Sequence, residues 1–453
     1  VPQESRWKEH IVVCPGCYKW SGDAPPSEPR ILREKVEPWL AALLQVEHLN
    51  LLVGSGLTLA IASQVKVSGL DMTPWSFATR MADAVEKAAT KSAARCERGQ
   101  PNIEDQVRAI LELIGGLQIL AESVEPGRNG NRLAKSAARL LKEWEGNLDF
   151  LLKKFLKRVL DVERAIEEQF GLETEESERA QYLLGSFLLT FASRPASRER
   201  LHIFTTNYDR LLEYACDMLG LRILDRFVGQ LLPVFRSSRL GVDFHYCPPG
   251  IRGEPRYLEG VVRITKLHGS IDWRRDEKGS GRHEIVRYGI PFGAMESDAY
   301  IASCPGNSII IYPNPAKDIE TLEYPYADLF RDFAAALCQP NTVLVTYGYG
   351  FGDAHINRVI RDMLTIPSTH LVIVSYDDAG GRIQRFYEMV GHSEQITLLI
   401  GNHFGDLGVL VEHYLPKPAI EKTSWQAAAL MERRKSRKNS SDDNDSYNIF
   451  EGD

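Results

Sequence analysis

Three apolar runs in this chain stop at glycine or at short polar side chains and pass directly into helical spacing. They are Leu49–Val53 before Gly54-Ser55-Gly56, Leu201–Phe204 before Thr205-Thr206-Asn207-Tyr208-Asp209, and Asn341–Tyr347 before Gly348. A short apolar run that turns straight into a helix is half of a βαβ unit. Further strands are predicted at 261–267, 308–312, 370–375 and 395–400, with helices from about Tyr324 to Leu337 and from about Gly381. Strands alternating with helices imply an α/β fold with a mainly parallel, Rossmann-like sheet. Such sheets bind ligands beyond the carboxyl ends of their strands. The residues at those ends are therefore the first candidates for a functional site.

The rest of the chain divides around that sheet. Residues 1–45 form an N-terminal segment that includes an amphipathic stretch from Ile31 to Leu44. The sheet domain is assigned to 46–72 and 197–416, and 73–196 to a helical subdomain inserted between two strands. Thr73-Pro74 reads as an N-cap followed by proline at the first helical position, which starts that subdomain. Gly115-Gly116 and Gly127-Arg128-Asn129-Gly130 are expected to break it into four helices. Leu141, Trp144, Leu148, Leu151, Phe155 and Val159 recur at the spacing of one helix face turned to a core. Residues 221–260, with Pro248-Pro249-Gly250, read as loop. The stretch 417–453, with Arg433–Lys438 and an acidic run, has the composition of a disordered tail, and its Tyr447–Phe450 end suits fraying or a docking peptide.

A net charge of −7 over 453 residues argues against a surface built for direct nucleic-acid binding. No apolar run reaches the roughly 18 residues a membrane helix needs. The expected location is cytoplasmic. Seven scattered cysteines fit reduced thiols better than a disulfide framework. Cys14-Pro15-Gly16-Cys17 is half of a zinc knuckle; with His10 nearby but no second Cys-x-x-Cys, the reading divides between a partial metal site and an exposed turn with two thiols.

Each candidate residue has a functional and a structural reading. Gly54-Ser55-Gly56 lets the backbone approach a phosphate, yet any tight βα turn favours glycine, and Leu59 stands where G-x-G-x-x-G requires its third glycine. Asn207 and Asp209 lie two residues apart at a strand end. His268, at the end of the strand Val261–Leu267 and beside Gly269, is placed to face a cleft, although a lone histidine is more often structural. Asp353, in Gly348-Tyr349-Gly350-Phe351-Gly352-Asp353-Ala354-His355-Ile356-Asn357, is an N-cap, with or without a ligand contact.

Taken in order, Gly54-Ser55-Gly56, Thr205-Thr206-Asn207-Tyr208-Asp209 and Lys266-Leu267-His268-Gly269-Ser270 resemble the glycine loop, the Thr-x-Asn-x-Asp motif and the Leu-His-Gly strand end of the sirtuin-like NAD-binding fold. The stretch from Gly348 to Asn357, with Ile311-Tyr312-Pro313, is more similar to the bacterial sirtuin-like defence proteins than to the deacylases. The resemblance implies NAD as substrate, held by Gly54, Ser55, Gly56, Thr58, Thr206, Asn207, Asp209, Gly348, Tyr349 and Asp353. It implies catalysis by Asn207, His268 and Asp209. The zinc module of deacylating sirtuins is missing: Cys216, Cys247, Cys304 and Cys338 lack pair spacing, so no metal is expected to be required. Gly56-Leu57-Thr58-Leu59-Ala60 also departs from the family's usual Gly-Ile-Pro-Asp-Phe-Arg.

The resulting expectation is an NAD glycohydrolase that releases nicotinamide and ADP-ribose. The glycosidic bond of NAD already has a cationic leaving group, so the enzyme needs charge stabilisation and a base more than a strong acid. The resemblance further implies an anti-phage effector, a homo-oligomer and control in trans by a HerA-type ATPase, a short Argonaute, a nucleotide-signal sensor or phage proteins, of which the HerA-type ATPase is preferred. The competing readings are a protein deacylase or ADP-ribosyltransferase, and a scaffold that binds NAD or ADP-ribose without turnover. A dinucleotide oxidoreductase would need the full Rossmann fingerprint, which the chain lacks.

Overall fold

The computed structural model describes residues 7–27, 29–95, 99–122, 128–239, 243–246, 256–276, 284–293, 309–311 and 324–417. Strands β1 (His10–Cys14), β2 (Tyr18–Gly22), β3 (His48–Val53), β4 (His202–Thr205) and β5 (Arg222–Leu224) come first, followed by the short β6 (Phe227–Val228), β7 (Val234–Phe235), β8 (His245–Tyr246) and β9 (Arg256–Tyr257). Then come β10 (Val261–Lys266), β11 (Gly269–Asp276), β12 (Glu284–Arg287), β13 (Ile309–Ile311), β14 (Thr342–Tyr347), β15 (His370–Ser375) and β16 (Ile396–Ile400). The main sheet has nine strands in the order β2-β1-β16-β15-β14-β3-β4-β10-β5. From β16 to β5 every pairing is parallel.

The chain leaves β3 for β4 on one side and returns to β14 on the other. This reversal of strand order is the topological switch point, where a crevice opens at the strands' carboxyl ends. The register places Val53 level with both Tyr347 and Thr205, so the three turns that follow lie side by side. Both faces of the sheet are covered by apolar cores, as a parallel sheet requires.

Helices α1 (Pro29–Leu43) and α2 (Gly56–Gln64) flank β3 in sequence. Between α2 and β4 lie α3 (Ala82–Arg95), α4 (Ile103–Glu122), α5 (Arg128–Phe170) and α6 (Glu175–Ala192). Trp144, Leu151, Phe155 and Val159 are buried along α5, as their spacing predicts. Two expectations fail here. No helix starts at Thr73-Pro74: the segment is irregular, Trp75 and Phe77 pack partly buried against the helical core, and Gln106 binds both the N–H and the carbonyl of Trp75. Gly115-Gly116 does not break α4, whose Ile110, Ile114 and Leu117 hold it to the helical core on either side.

Two features were not expected. β1 and β2 form a hairpin that extends the main sheet antiparallel to β16. Its turn is Cys14-Pro15-Gly16-Cys17: the Cys17 N–H donates to the Cys14 carbonyl (3.0 Å), Gly16 has φ +72°, Cys14 is buried and Cys17 exposed. Burial, with Cys17 adding to it, raises the Cys14 thiol to about 11. Second, β13-β11-β12-β7-β6 form a separate antiparallel sheet. The stretch read as loop thus holds short strands, and the strand at Ile309–Ile311 pairs antiparallel with β11, not with the parallel sheet. Pro248-Pro249-Gly250, Tyr312-Pro313 and the tail from residue 418 lie outside the described residues. No helix of the described residues is long and apolar enough to cross a membrane.

One buried group on the sheet gives a pH prediction. Burial, then Arg263 and Arg226, lowers the His202 pKa to about 3, and its ring Nε2 pairs with Thr265 Oγ1 at 2.8 Å. An unfolded histidine titrates near 6.5, so between those values the unfolded chain binds the extra proton. The stability is full above about pH 6.5 and falls as pH drops toward 3. Denaturation at pH 7 and 4.5 should show His202→Asn losing less than the parent chain, by roughly 2–3 kcal/mol.

Candidate active site

The turn after β3 and the turn after β14 touch without any side chain between them. A Cβ on Gly54 would lie 2.3 Å from the Gly348 carbonyl oxygen, and one on Gly56 2.4 Å from Gly348 Cα. Gly348 has φ +60°, a conformation that glycine adopts without cost. The Gly56 N–H donates to the Gly348 carbonyl at 3.2 Å. Glycine is needed here for close packing of one turn on another, whatever else approaches.

Beside these turns runs the Thr205–Asp209 segment. The Thr206 N–H and the Thr205 hydroxyl both donate to the Val53 carbonyl, at 3.3 and 2.9 Å. The Asn207 N–H donates to Thr205 Oγ1 at 3.0 Å. Asn207 is 7% exposed, and its Nδ2 donates to the Gly54 carbonyl (3.1 Å) and to Thr58 Oγ1 (3.2 Å). A carbonyl can only accept, so the Gly54 contact fixes which end of the amide is nitrogen. The amide's two donors are thereby used, and the acceptor Oδ1 is left for a hydroxyl or a water. Asp209 braces the loop: Oδ2 accepts from the Thr58 hydroxyl (2.9 Å) and Oδ1 from the Leu211 N–H (3.1 Å), at the start of α7 (Leu211–Met218).

His268 follows β10 and precedes Gly269, whose φ of +83° turns the chain into β11. It is more enclosed than a cleft-facing residue was expected to be, at 4% exposed, with its ring 6.3 Å from that of Tyr208. Asp353 takes the N-cap position of α9 (Ala354–Leu364), α8 being Tyr326–Leu337, but makes no side-chain cap hydrogen bond.

A cavity of about 310 Å³ gathers these groups. Gly54, Ser55, Thr58, Thr206, Asn207, Asp209, His268, Gly348, Tyr349 and Asp353 all line it, while Gly56 stands behind, packed on Gly348. The volume lies at the low end of ligand pockets, which run from about 300 to 1,000 Å³. A larger, mainly apolar groove of about 1150 Å³ borders Leu44, Arg200 and Val261, at the opposite ends of the strands. It lacks the polar strand-end residues, so the smaller cavity is the candidate active site.

Several contributors were missed in the sequence. Arg382, at the start of α10 (Arg382–Val390), lines the cavity and donates from Nε to the Gly350 carbonyl (2.6 Å). Its position after β15, next to β14, was the available signal. Lys266 is buried, binds the Asp209 carbonyl and donates to Glu213 at 3.0 Å, tying β10 to the loop. Leu70, Met72, Asn102 and Glu104 bring the helical region to the cavity wall. The Tyr208 hydroxyl donates to Glu104 at 2.9 Å, and its ring meets Phe155 edge-on at 5.4 Å.

The strongest tie to the helices is an ion pair. Glu163 on α5 accepts from the Arg210 backbone N–H (2.7 Å) and from Nη2 (2.5 Å), both residues being buried. Burial works against the charge on Arg210, and the adjacent Glu163 more than offsets it, holding the guanidinium above its usual range. Removing one partner of a buried pair strands the other's charge. Glu163→Ala is expected to destabilise the chain by about 3–5 kcal/mol in equilibrium denaturation.

Residues 201–393 match the family model of the SIR2-like domain. No curated protein matches the chain. The SIR2-like region holds the Asn207, His268 and Gly348 turns and stops short of the Gly54 turn that packs on them. It supports a sirtuin-like relationship and an NAD-related function of the sirtuin type.

Proposed function

We propose that the chain is an NAD glycohydrolase. The observation that carries this is the convergence of Asn207 and His268 on one cavity at the switch point, beside two glycine turns in mutual contact. The Gly54, Gly56 and Gly348 N–H groups are taken within the protein, so the turns offer a pyrophosphate close backbone approach beside the Ser55 hydroxyl, and Arg382 gives a charge-assisted donor next to them. Asn207 Oδ1 accepts from a ribose hydroxyl or holds the attacking water.

The bond from the ribose C1′ to the nicotinamide nitrogen breaks, and its electron pair neutralises the ring. Water supplies the new C1′–O bond, and His268 accepts its proton. Asp209, with both oxygens engaged within the protein, positions Thr58 and the start of α7. Asp353, Tyr349 and Ser55 complete the wall around the nucleotide.

The wider reading rests on the motif resemblance: an anti-phage effector in the cytoplasm that depletes NAD when activated, works as a homo-oligomer and is controlled in trans by a HerA-type ATPase. Glu104 and Glu163 tie the helical region to Tyr208 and Arg210, giving control a path to the motif. The test is chromatography of NAD, nicotinamide and ADP-ribose over the lone chain and over the chain co-expressed with its genomic neighbours. Intact NAD in both would overturn the proposal.

A further inference from the structure

His268 has a neighbour that the glycohydrolase reading leaves unused. The ring of His355, on the first turn of α9, lies 5.9 Å from that of His268. One donor atom each from His268, Asp353 and His355 all fall within 4.8 Å of one another, the two histidines being buried. Among the described residues this is the only group of three or more His, Cys, Asp or Glu side chains so placed; Cys14, Cys17 and His10 form none.

The three residues come from separate parts of the chain. β10 delivers His268, while the turn after β14 delivers Asp353 and His355. That turn is held by hydrogen bonds: the Tyr349 hydroxyl donates to Asn357 Oδ1 (3.0 Å), and Asn357 Nδ2 donates to the Phe351 carbonyl (2.9 Å). The Phe330 ring packs edge-on against His355 at 4.6 Å. Two imidazoles and a carboxylate are the donor set for borderline transition cations such as Zn²⁺. Zinc bonds of about 2.0–2.1 Å put tetrahedral donors roughly 3.3 Å apart, so the group closes on an ion by modest side-chain rotation. His268 and Asp353 line the cavity, which leaves a fourth position for water.

We propose that His268, Asp353 and His355 bind a divalent transition cation, with Zn²⁺ as the probe, and that the bound ion inhibits the enzyme. The inhibition rests on the glycohydrolase reading: a ring nitrogen that coordinates zinc has no lone pair for the proton of the attacking water. NAD cleavage needs the metal-free histidine, and the cation acts as a brake.

The test loads the purified full chain with excess ZnCl₂, dialyses it, and measures bound zinc for the parent chain, His355→Gln and Asp353→Asn. The parent is expected to retain one equivalent more than either variant, whose affinity at this site falls more than tenfold. Co²⁺ added to the unmodified chain should give the visible bands of a low-coordinate site, which decides the matter even where a variant folds poorly. Zinc should suppress NAD turnover by the parent and leave His355→Gln turnover unchanged. Equal zinc uptake by all three chains without cobalt bands overturns the site, and turnover raised by zinc overturns the brake. Zinc uptake with no NAD cleavage under any condition retains the site and refutes the glycohydrolase reading instead.

Discussion

Asn207→Ala and His268→Ala are each expected to lower NAD turnover by about 10²–10⁴-fold, the usual contribution of a positioned general base or of charge stabilisation at the reacting centre. The loss should fall on kcat, because the phosphate contacts assigned to the glycine turns are untouched. The two residues act on one transition state, so the double variant should lose far less than the product of the single losses. Asn207→Ala also removes donors to the Gly54 carbonyl and Thr58 Oγ1, and Thr58→Val separates that effect. If Thr58→Val matches Asn207→Ala in both turnover and ADP-ribose affinity, Asn207 serves the loop and not the chemistry. Turnover that survives in His268→Ala would remove the histidine from the mechanism.

The sequence made the sheet legible because parallel strands buried on both faces are written as uninterrupted apolar runs, as in Thr342–Tyr347 and Leu49–Val53. The site was legible at strand ends for the same reason: a buried run that stops at Asn207 or His268 places a polar group at a crevice. What stayed hidden has other physics. Trp75 and Phe77 override a sound helix-start signal because packing two aromatic rings against the helical core, with Gln106 holding the Trp75 backbone, outweighs capping. Gly115-Gly116 stays helical because apolar packing flanks it. The antiparallel sheet is built from strands such as Phe227–Val228 and Val234–Phe235, too short to show alternation. Glu163, Lys266 and His355 act through partners distant in sequence, and no local pattern announces such a pairing.

Gly54→Ala is expected to cost about 3 kcal/mol or more in stability and to remove nucleotide binding with it. The added methyl would meet the Gly348 carbonyl oxygen at 2.3 Å and Tyr349 Cα at 2.8 Å, and both are backbone, so no rotamer change can make room. Overpacking by one methyl usually costs about 1–3 kcal/mol, and a rigid obstacle puts this case at the upper end or beyond. β3 and β14 must then part at their carboxyl ends, which stretches the Gly54 N–H bond to the Tyr347 carbonyl and displaces the acceptor that orients Asn207. Gly352→Ala is the matched control, because Gly352 lines the same cavity but a Cβ there meets nothing within 4 Å. Its stability should stay within about 0.5 kcal/mol of the parent chain. Denaturation and ADP-ribose titration on both variants separate the cases. A Gly54→Ala chain as stable as Gly352→Ala would mean that the two turns do not touch, and the cavity between them, with Asn207 oriented on its wall, would have to be redrawn.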